Sequence, residues 1–114
     1  MNNATFGKKG EIAALKYIKK KGYKVLNQNF KTAIGEIDII AKHKDTLVFV
    51  EVKTRSSDFC GSPLEAITKS KYENIKTGLF SYLQETKIKY KKYRIDAISI
   101  ILNPEIKIQH LKNI

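Results

Sequence analysis

Apolar residues recur every three to four positions in two stretches of the chain, which is the spacing of one face of an α-helix. The first predicted helix covers residues 7–21 and ends before Gly22, since glycine is a common cap at that point. The second covers residues 69–86, and residues 62–65 (Ser-Pro-Leu-Glu) before it have the spacing of a capping box that opens a helical turn. The predicted apolar faces consist of Gly10, Ala14, Leu15 and Ile18 in the first helix and of Ile75, Leu79, Tyr82 and Leu83 in the second.

Elsewhere the pattern changes to short apolar runs rich in β-branched side chains, which indicate strands. Polar residues 43–45 separate two of these runs, so the runs form a hairpin, and Asn103-Pro104 is a turn. The order of elements, αβββαββ, is a meander followed by a crossover and predicts a sheet flanked by helices, an α/β or α+β sandwich. The five predicted strands cover residues 23–30, 35–42, 46–54, 93–102 and 105–110.

The predicted hairpin determines which residues of its two strands face each other. A two-residue turn and a four-residue loop around residues 43–46 give the same register. In either case Asp38 lies directly opposite Glu51, and Glu36 lies opposite Lys53. Alternation along the two strands places Glu36, Asp38, Ile40, Leu47, Phe49, Glu51 and Lys53 on one face of the sheet, and Ile37, Ile39, Ala41, Val48, Val50 and Val52 on the other.

Two carboxylates in this arrangement need a neutralising partner. Directly opposed residues have Cβ atoms about 4.5–5.5 Å apart, so ionised Asp38 and Glu51 would repel each other in a half-buried sheet. The partner is a shared proton, a cation such as Lys53, or a bound divalent metal. Carboxylate oxygens are hard ligands, which suit Mg²⁺ or Mn²⁺ and not zinc. The alternative is a structural ion-pair network that joins the two carboxylates to Lys53 and Arg94.

Glu11 is a third carboxylate, at an unexpected position. It lies four residues before Leu15 and seven before Ile18, on the apolar stripe of the first helix and not opposite it. A carboxylate that faces a sheet needs a polar partner. If the helix packs over the hairpin, Glu11 could add a metal ligand or bind a metal-held water.

The charge of the chain points to a polyanionic partner. The 114 residues include 22 Lys and Arg against 11 Asp and Glu, a formal net charge of +11, and Lys and Arg release counterions when they neutralise phosphates. The abundance of Lys and Asn is also typical of a low-GC genome, which weakens this argument. The charge still favours nucleic acid over a small acidic metabolite. The length fits a single domain, residues 1–114.

The residue inventory argues against several other classes of protein. Cys60 is the only cysteine, so no internal disulfide can form, and with His43 and His110 it makes no zinc site of recognised spacing. Both histidines are expected at surface or edge positions. No apolar run approaches the roughly 18 residues of a membrane span, and the first residues lack the apolar core of a signal peptide. We therefore expect a cytoplasmic protein with no membrane partner.

Two central blocks of the sequence resemble the signature of the bacterial UPF0102 family, often called YraN-like. These blocks are residues 35–41 (Gly-Glu-Ile-Asp-Ile-Ile-Ala) and 47–55 (Leu-Val-Phe-Val-Glu-Val-Lys-Thr-Arg), and the resemblance extends over nearly the whole chain. Further similarity lies in residues 7–14, Lys71, Tyr82-Leu83 and residues 94–96.

That family is similar to the PD-(D/E)xK nucleases, particularly the archaeal Holliday junction resolvases, so the resemblance implies a restriction-endonuclease-like core with a mixed sheet. It implies that Asp38 is the first acidic residue of the motif, that Glu51 and Lys53 are its E-x-K pair, and that Glu11 is the acidic residue of the first helix. Ile37 occupies the position of the proline in the motif's name, and many members of the superfamily also lack this proline.

These observations lead to three hypotheses. The first is a Mg²⁺- or Mn²⁺-dependent endonuclease that cuts branched or junction DNA by structure, with Asp38 and Glu51 as metal ligands, Glu11 assisting and Lys53 positioning water. A homodimer would suit a cut in two strands. The second is a non-catalytic nucleic-acid-binding or adaptor protein on the same fold, and the third is a structural partner in a larger assembly. The nucleic-acid-binding residues expected are Arg55, Lys69, Lys71 and the basic residues within 87–92.

Overall fold

The computed structural model describes residues 3–56, 67–87, 89–90 and 92–114, and in these ranges the predicted element order αβββαββ is confirmed. The second helix has the predicted bounds, and the first begins four residues earlier than predicted. The capping box predicted at residues 62–65 lies outside the described residues. The elements are α1 (Asn3–Lys20), β1 (Lys24–Thr32), β2 (Gly35–His43), β3 (Thr46–Arg55), α2 (Lys69–Thr86), β4 (Lys92–Ile101) and β5 (Lys107–Leu111).

The five strands form one mixed sheet whose spatial order, β1-β2-β3-β4-β5, follows the chain. Neighbouring strands are antiparallel except β3 and β4, which are parallel and connected through α2. Strand β3 is therefore central, with a hydrogen-bonded strand on each side. A meander followed by one helical crossover is the topology that the order of apolar runs predicted.

The two helices cover opposite faces of the sheet. Apolar side chains of each strand alternate between two buried clusters, one beneath each helix. The result is an α+β sandwich of three layers, which confirms the predicted class and is compatible with a nuclease-like core. The cluster under α1 consists of Ala14, Ile18, Tyr23, Ile39, Ala41, Val48, Val50, Val52, Ile98 and Ile100. The cluster under α2 consists of Ile37, Ile40, Leu47, Phe49, Ile75, Leu79, Tyr82 and Ile95.

Strand β2 departs from the predicted alternation at Asp38. Ile37 and Ile39 are two residues apart and should share a face, yet Ile37 packs under α2 and Ile39 under α1. The neighbouring strand is irregular at the same level, because Asn29 has the left-handed backbone conformation with φ of 51°. Register pairs lie on both sides of this point, but none joins Asn29 to Asp38. The prediction that Ile37 shares a face with Ile39 and Ala41 is therefore wrong, since the sheet bends between them.

The helix ends follow from local hydrogen bonding. After α1, the backbone N–H of Tyr23 donates to the carbonyl of Ile18 and that of Gly22 to Lys19, with Gly22 at φ of 89°. This is the Schellman arrangement, and it confirms Gly22 as the cap. At the start of α2 the Thr68 hydroxyl accepts from the backbone N–H of Lys71. Within the described ranges no helix is long and apolar enough to cross a membrane.

The packing of α1 on β3 can be tested at Gly10. A Cβ atom at this position would lie 1.7 Å from the Thr54 hydroxyl oxygen and 2.7 Å from the Thr54 Cβ, so Gly10→Ala must push the helix away from the strand. We expect a loss of about 1–3 kcal/mol in the free energy of unfolding, measured by urea denaturation. Gly7→Ala is the matched control: nothing lies within 4 Å of its added Cβ, and we expect a gain of about 0.5–1 kcal/mol from helix propensity. Equal effects at the two positions would contradict this packing.

Candidate active site

The register of the β2–β3 hairpin is the predicted one. His43 pairs with Thr46 across a two-residue turn, and the paired residues continue to Ile39 and Val50. The next residues in this register are Asp38 and Glu51, where the regular ladder ends. The side chain of Asp38 replaces the missing backbone partner, since its Oδ2 accepts a 2.8 Å hydrogen bond from the Val52 N–H. Glu36 and Lys53, which were predicted to face each other, lie beyond the paired residues.

Glu51 is a buried carboxylate with one satisfied and one unsatisfied oxygen. Only 3% of the residue is exposed. Its Oε1 lies 3.2 Å from the Nζ of Lys71 on α2 and 3.8 Å from the Nζ of Lys53. Its Oε2 is buried and accepts no hydrogen bond from the described residues. A buried carboxylate oxygen without a partner is costly, so this atom points to a proton, a water or a cation that completes it.

The crowding of buried carboxylates changes the pKa of Asp38. Burial raises the pKa of Asp38, the negative charge of Glu51 raises it further, and the value reaches about 7 although the Val52 N–H opposes the shift. The charge of Glu11 also contributes to the increase, and that of Lys71 acts against it. Near neutral pH Asp38 therefore holds a proton part of the time. The predicted repulsion between opposed carboxylates thus appears as a raised pKa.

Asn29 connects two further carboxylates to the site, and sequence reasoning missed it. Its Nδ2 donates to Glu11 Oε1 and to Glu36 Oε1, each at 2.8 Å. The left-handed backbone at Asn29 is a conformation that asparagine tolerates better than most residues. An asparagine in a strand directly opposite Asp38 was the available signal, because asparagine is depleted in strands. Glu11 has the polar partner that its position on the sheet side of α1 required.

The carboxylates suit a hard cation that keeps part of its water shell. Among the described residues, no group of three or more His, Cys, Asp or Glu side chains forms a metal cage. Asp38 and Glu51 can supply two carboxylate ligands, and Mg²⁺ is usually bound by one or two carboxylates together with waters and substrate phosphates. Glu11 Oε1 already accepts a hydrogen bond from Asn29, whose amide also donates to Glu36.

The basic residues predicted to bind nucleic acid divide into two groups. Lys71 contacts Glu51, Lys69 is the exposed first residue of α2, and Arg55 ends β3, so these three lie at the carboxylate end of the sheet. Lys92, from the second predicted group, begins β4 beside Thr46 and pairs with Asp45, which places it at the opposite end.

The alternative ion-pair network is present only in part. Lys53 and Glu51 are neighbours, but Arg94 donates from Nε to Asp96 at 2.9 Å and does not contact the Asp38–Glu51 pair. Asp96 is fully buried and accepts this hydrogen bond, so it acts as a structural carboxylate. The network therefore divides into two separate charged clusters.

Comparison with known proteins identifies related sequences of similar length. The model of the uncharacterised protein family UPF0102 matches residues 10–100. A UPF0102 protein of Caldicellulosiruptor saccharolyticus is 44% identical over 103 residues, which cover 90% of this chain and 87% of the relative. A UPF0102 protein of Caldanaerobacter subterraneus is 44% identical over 117 residues, covering 99% and 96%. One from Clostridium acetobutylicum is 45% identical over 102 residues, covering 89% and 83%.

The raised pKa of Asp38 predicts how Asp38→Asn changes stability with pH. The pKa of Asp38 is near 7 in the folded protein, against 3.8 for an ordinary aspartate such as that of the unfolded chain. The folded protein therefore binds this proton more tightly than the unfolded chain does. The stability of the wild type therefore falls, through this group, as pH rises from about 4 to 7. Without metal, Asp38→Asn should be as stable as the wild type at pH 4 and more stable at pH 8, by at most about 4 kcal/mol.

Denaturation curves at several pH values in the presence of a chelator measure this difference. The asparagine retains an oxygen for the Val52 N–H, so the variant removes the charge and keeps the hydrogen bond. Asp45→Asn is the control, because Asp45 is exposed and its pKa is lowered by Lys92. A structural ion-pair network makes the opposite prediction, namely that Asp38→Asn is less stable than the wild type at pH 8.

Proposed function

The chain belongs to the UPF0102 family, and from this premise we propose that it is a metal-dependent endonuclease that hydrolyses phosphodiester bonds in DNA. The observation that carries the proposal is the buried Oε2 of Glu51, which has no hydrogen-bond partner among the described residues and lies beside Asp38, whose pKa is raised to about 7. A purely structural carboxylate would have a donor at each oxygen. Perturbed, buried carboxylates grouped with a lysine are typical of catalytic sites.

Each residue of the site has a distinct part in the proposed reaction. Asp38, once deprotonated, and Glu51 provide the oxygens that bind Mg²⁺ or Mn²⁺. When bound, the metal lowers the pKa of a water molecule and stabilises the charge that develops on the phosphate. Lys53, half-exposed beside Glu51, orients the attacking water or stabilises that charge. Glu11, held by Asn29, accepts a hydrogen bond from a water at the edge of the site.

The cationic residues beside the carboxylates suit the DNA backbone. Lys69 and Lys71 begin α2, where backbone N–H groups and the helix dipole also attract phosphate. Arg55 ends β3 at the same end of the sheet. Such contacts position a backbone without reading its bases, so we expect selection by structure, with branched or junction DNA preferred over linear duplex. A homodimer would place two such sites on the two strands of one substrate.

One observation favours a second candidate function, a non-catalytic nucleic-acid-binding or adaptor protein. Lys71 lies 3.2 Å from Glu51 Oε1 and already supplies a cation to the buried carboxylate. If Lys71 remains beside Glu51, its ammonium group neutralises the Glu51 carboxylate, and no metal is needed for that purpose. The two functions differ in whether a divalent metal binds at Asp38 and Glu51, which both cleavage and thermal melting can measure.

Cleavage should depend on Mg²⁺ or Mn²⁺ and on the two carboxylates. We expect Asp38→Asn and Glu51→Gln to abolish it, because each removes a charged metal ligand, and Lys53→Ala to reduce it by about 10²-fold or more, as loss of one transition-state contact commonly does. The assay is a panel of junction, flap, duplex and single-stranded DNA with each metal. Asp45→Asn, at the far end of the same hairpin, is expected to cut like the wild type.

Melting curves test the metal site even before a substrate is found. Mg²⁺ should raise the melting temperature of the wild type, and more at pH 8 than at pH 6, because binding must displace the Asp38 proton. Asp38→Asn should show little or no metal-dependent increase. If Mg²⁺ and Mn²⁺ leave the wild-type melting curve unchanged and no DNA is cut, the proposed nuclease activity is wrong and the non-catalytic function is favoured.

Binding to DNA should weaken steeply as salt rises. A net charge of +11 implies several phosphate contacts, each of which releases about one counterion. A plot of the logarithm of the binding constant against the logarithm of the salt concentration has a negative slope. Lys69→Gln should make this slope less steep by about one. Titrations by fluorescence anisotropy in a chelator separate binding from cleavage. A flat salt dependence would argue against both nucleic-acid functions.

A further inference from the structure

A second polar cluster lies on the face of the sheet that α1 covers, and its centre is Asp96 on β4, which pairs with Val50 of β3. Asp96 is fully buried and accepts hydrogen bonds from Arg94 Nε at 2.9 Å, His110 Nε2 at 2.7 Å and the Asn113 backbone N–H at 3.0 Å. Burial alone would raise the pKa of Asp96, but the hydrogen bonds from His110, Arg94 and Asn113 lower it. The carboxylate is therefore ionised and its donors are held in position.

Two tyrosines extend this cluster to the surface. Arg94 donates from Nη2 to the Tyr23 hydroxyl at 2.7 Å. The other nitrogen of His110, Nδ1, lies 3.1 Å from the Tyr17 hydroxyl and can accept from it, because the Nε2 side of the ring faces Asp96. Tyr23 also stacks on His43, with ring centroids 4.1 Å apart and planes within 7°. His110 was expected at an edge position and does lie on the edge strand β5, but only 5% of its side chain is exposed.

These rings form the wall of a cavity of about 150 Å³. The residues that line it are Tyr17, Lys21, Tyr23, His43, His110 and Lys112. At about 30 Å³ for each water in the liquid, the cavity holds a group of several heavy atoms. Its wall presents the ammonium groups of Lys21 and Lys112 and the ring of His43, which can donate hydrogen bonds into the cavity. Both ring nitrogens of His110 already have partners in Asp96 and Tyr17. His110 and Tyr23 are held by the buried cluster, so part of the wall is rigid before any ligand enters.

The cavity has a positive potential. Lys21 and Lys112 line it, Arg94 lies behind Tyr23 with its guanidinium 5.9 Å from the ring centroid, and Asp96 is the acidic residue of this cluster. The pKa of His43 is lowered by burial and then by the charges of Arg94, Lys44 and Lys112, with only Asp96 acting in the other direction. The charge around the wall therefore favours an anion.

We propose that this cavity is a phosphate-binding pocket, which takes a phosphate group on Lys21, Lys112 and the His43 ring, with the His110 ring as part of its wall. A phosphate dianion matches a cavity that is lined by two ammonium groups and an imidazole from separate parts of the chain under a net positive potential. The phosphate can be the end of a nucleic acid strand or a free phosphate ion, since both present the same group. His43 is five residues along β2 from Asp38, roughly 16 Å at 3.3 Å per residue, so the pocket is separate from the carboxylate site and does not depend on the proposed nuclease.

The two histidines make the pocket directly observable, because the chain has no others. We would follow the two imidazole C2–H signals by proton NMR while adding inorganic phosphate at constant pH and ionic strength, with a chelator present to exclude divalent metal. The expected result is a saturable shift of both signals with a common dissociation constant. Chloride at the same ionic strength should produce no such saturation.

Matched variants identify the charges that hold the ligand. Lys21→Gln with Lys112→Gln should weaken phosphate binding at least tenfold, and both side chains are exposed, so the fold should be retained. Lys19→Gln with Lys20→Gln removes the same net charge from α1 outside the pocket and should change the affinity less than twofold. Equal weakening by the two pairs would mean that phosphate responds to net charge only and would overturn the proposal.

The source of the phosphate is distinguished by a short oligonucleotide with a 5′-phosphate and the same oligonucleotide with a 5′-hydroxyl. If the phosphorylated strand shifts both histidine signals at lower concentration, the pocket binds strand ends. If only inorganic phosphate does so, the ligand is the free ion. If no phosphate probe gives a saturable shift of either histidine, the pocket is not a phosphate site, whatever the result of the cleavage assay.

Discussion

Strand β3 lies between β2 and β4 and has a helix over each face, so a charge near its centre is shielded from water. Glu51 is the charged residue at its centre, and much of the surrounding arrangement follows from the cost of burying that carboxylate. Lys71, on α2, and Lys53, on β3 itself, both lie near the Oε1 atom of Glu51. The second oxygen has no donor in the described part of the chain, and the opposing Asp38 retains its proton up to about pH 7.

The bend at Asn29 and Asp38 brings the other carboxylates to the same place. A regular hairpin would keep Asp38 in the ladder with its side chain on one face. Instead the strand pairing ends there, and the Asp38 carboxylate accepts from the Val52 N–H. The left-handed conformation of Asn29 allows one side-chain amide to bridge Glu11 and Glu36. Irregular strands of this kind often redirect side chains at functional sites.

The Glu51 cluster and the Asp96 cluster differ in how many of their buried oxygens have hydrogen-bond or ion-pair partners. Asp96 has three donors, so its charge is stabilised by the protein alone. Glu51 has cations at one oxygen, and residues 3–56, 67–87, 89–90 and 92–114 supply no partner for the other, so within these ranges its stabilisation is incomplete. A fully satisfied network rigidifies a fold, whereas an unsatisfied buried polar group in a native protein points to strain, a catalytic role or a bound water or ion. This contrast separates a carboxylate that holds a structure from one that can take part in chemistry.

The pattern of apolar and polar residues was sufficient for the element order, the bounds of α2, the cap at Gly22 and the hairpin register, because each depends on neighbours in the chain. The same register predicted that Asp38 and Glu51 would be close. It could not predict that Ile37 changes faces, because strict alternation assumes a regular strand. That change depends on the backbone of Asn29 in a different strand.

Contacts between elements distant in sequence were decided by the tertiary structure alone. Lys71 was predicted to bind nucleic acid, yet its distance from Glu51 depends on how α2 packs over β3. Arg94 was a candidate partner of Glu51, but parallel pairing of β4 with β3 sets it opposite Val48, three residues away, beside Asp96 and Tyr23. The cluster of His43, His110 and Tyr17 joins residues from β2, β5 and α1. Sequence periodicity reports the environment of each element, while the partners of buried charges depend on the packing of elements against one another.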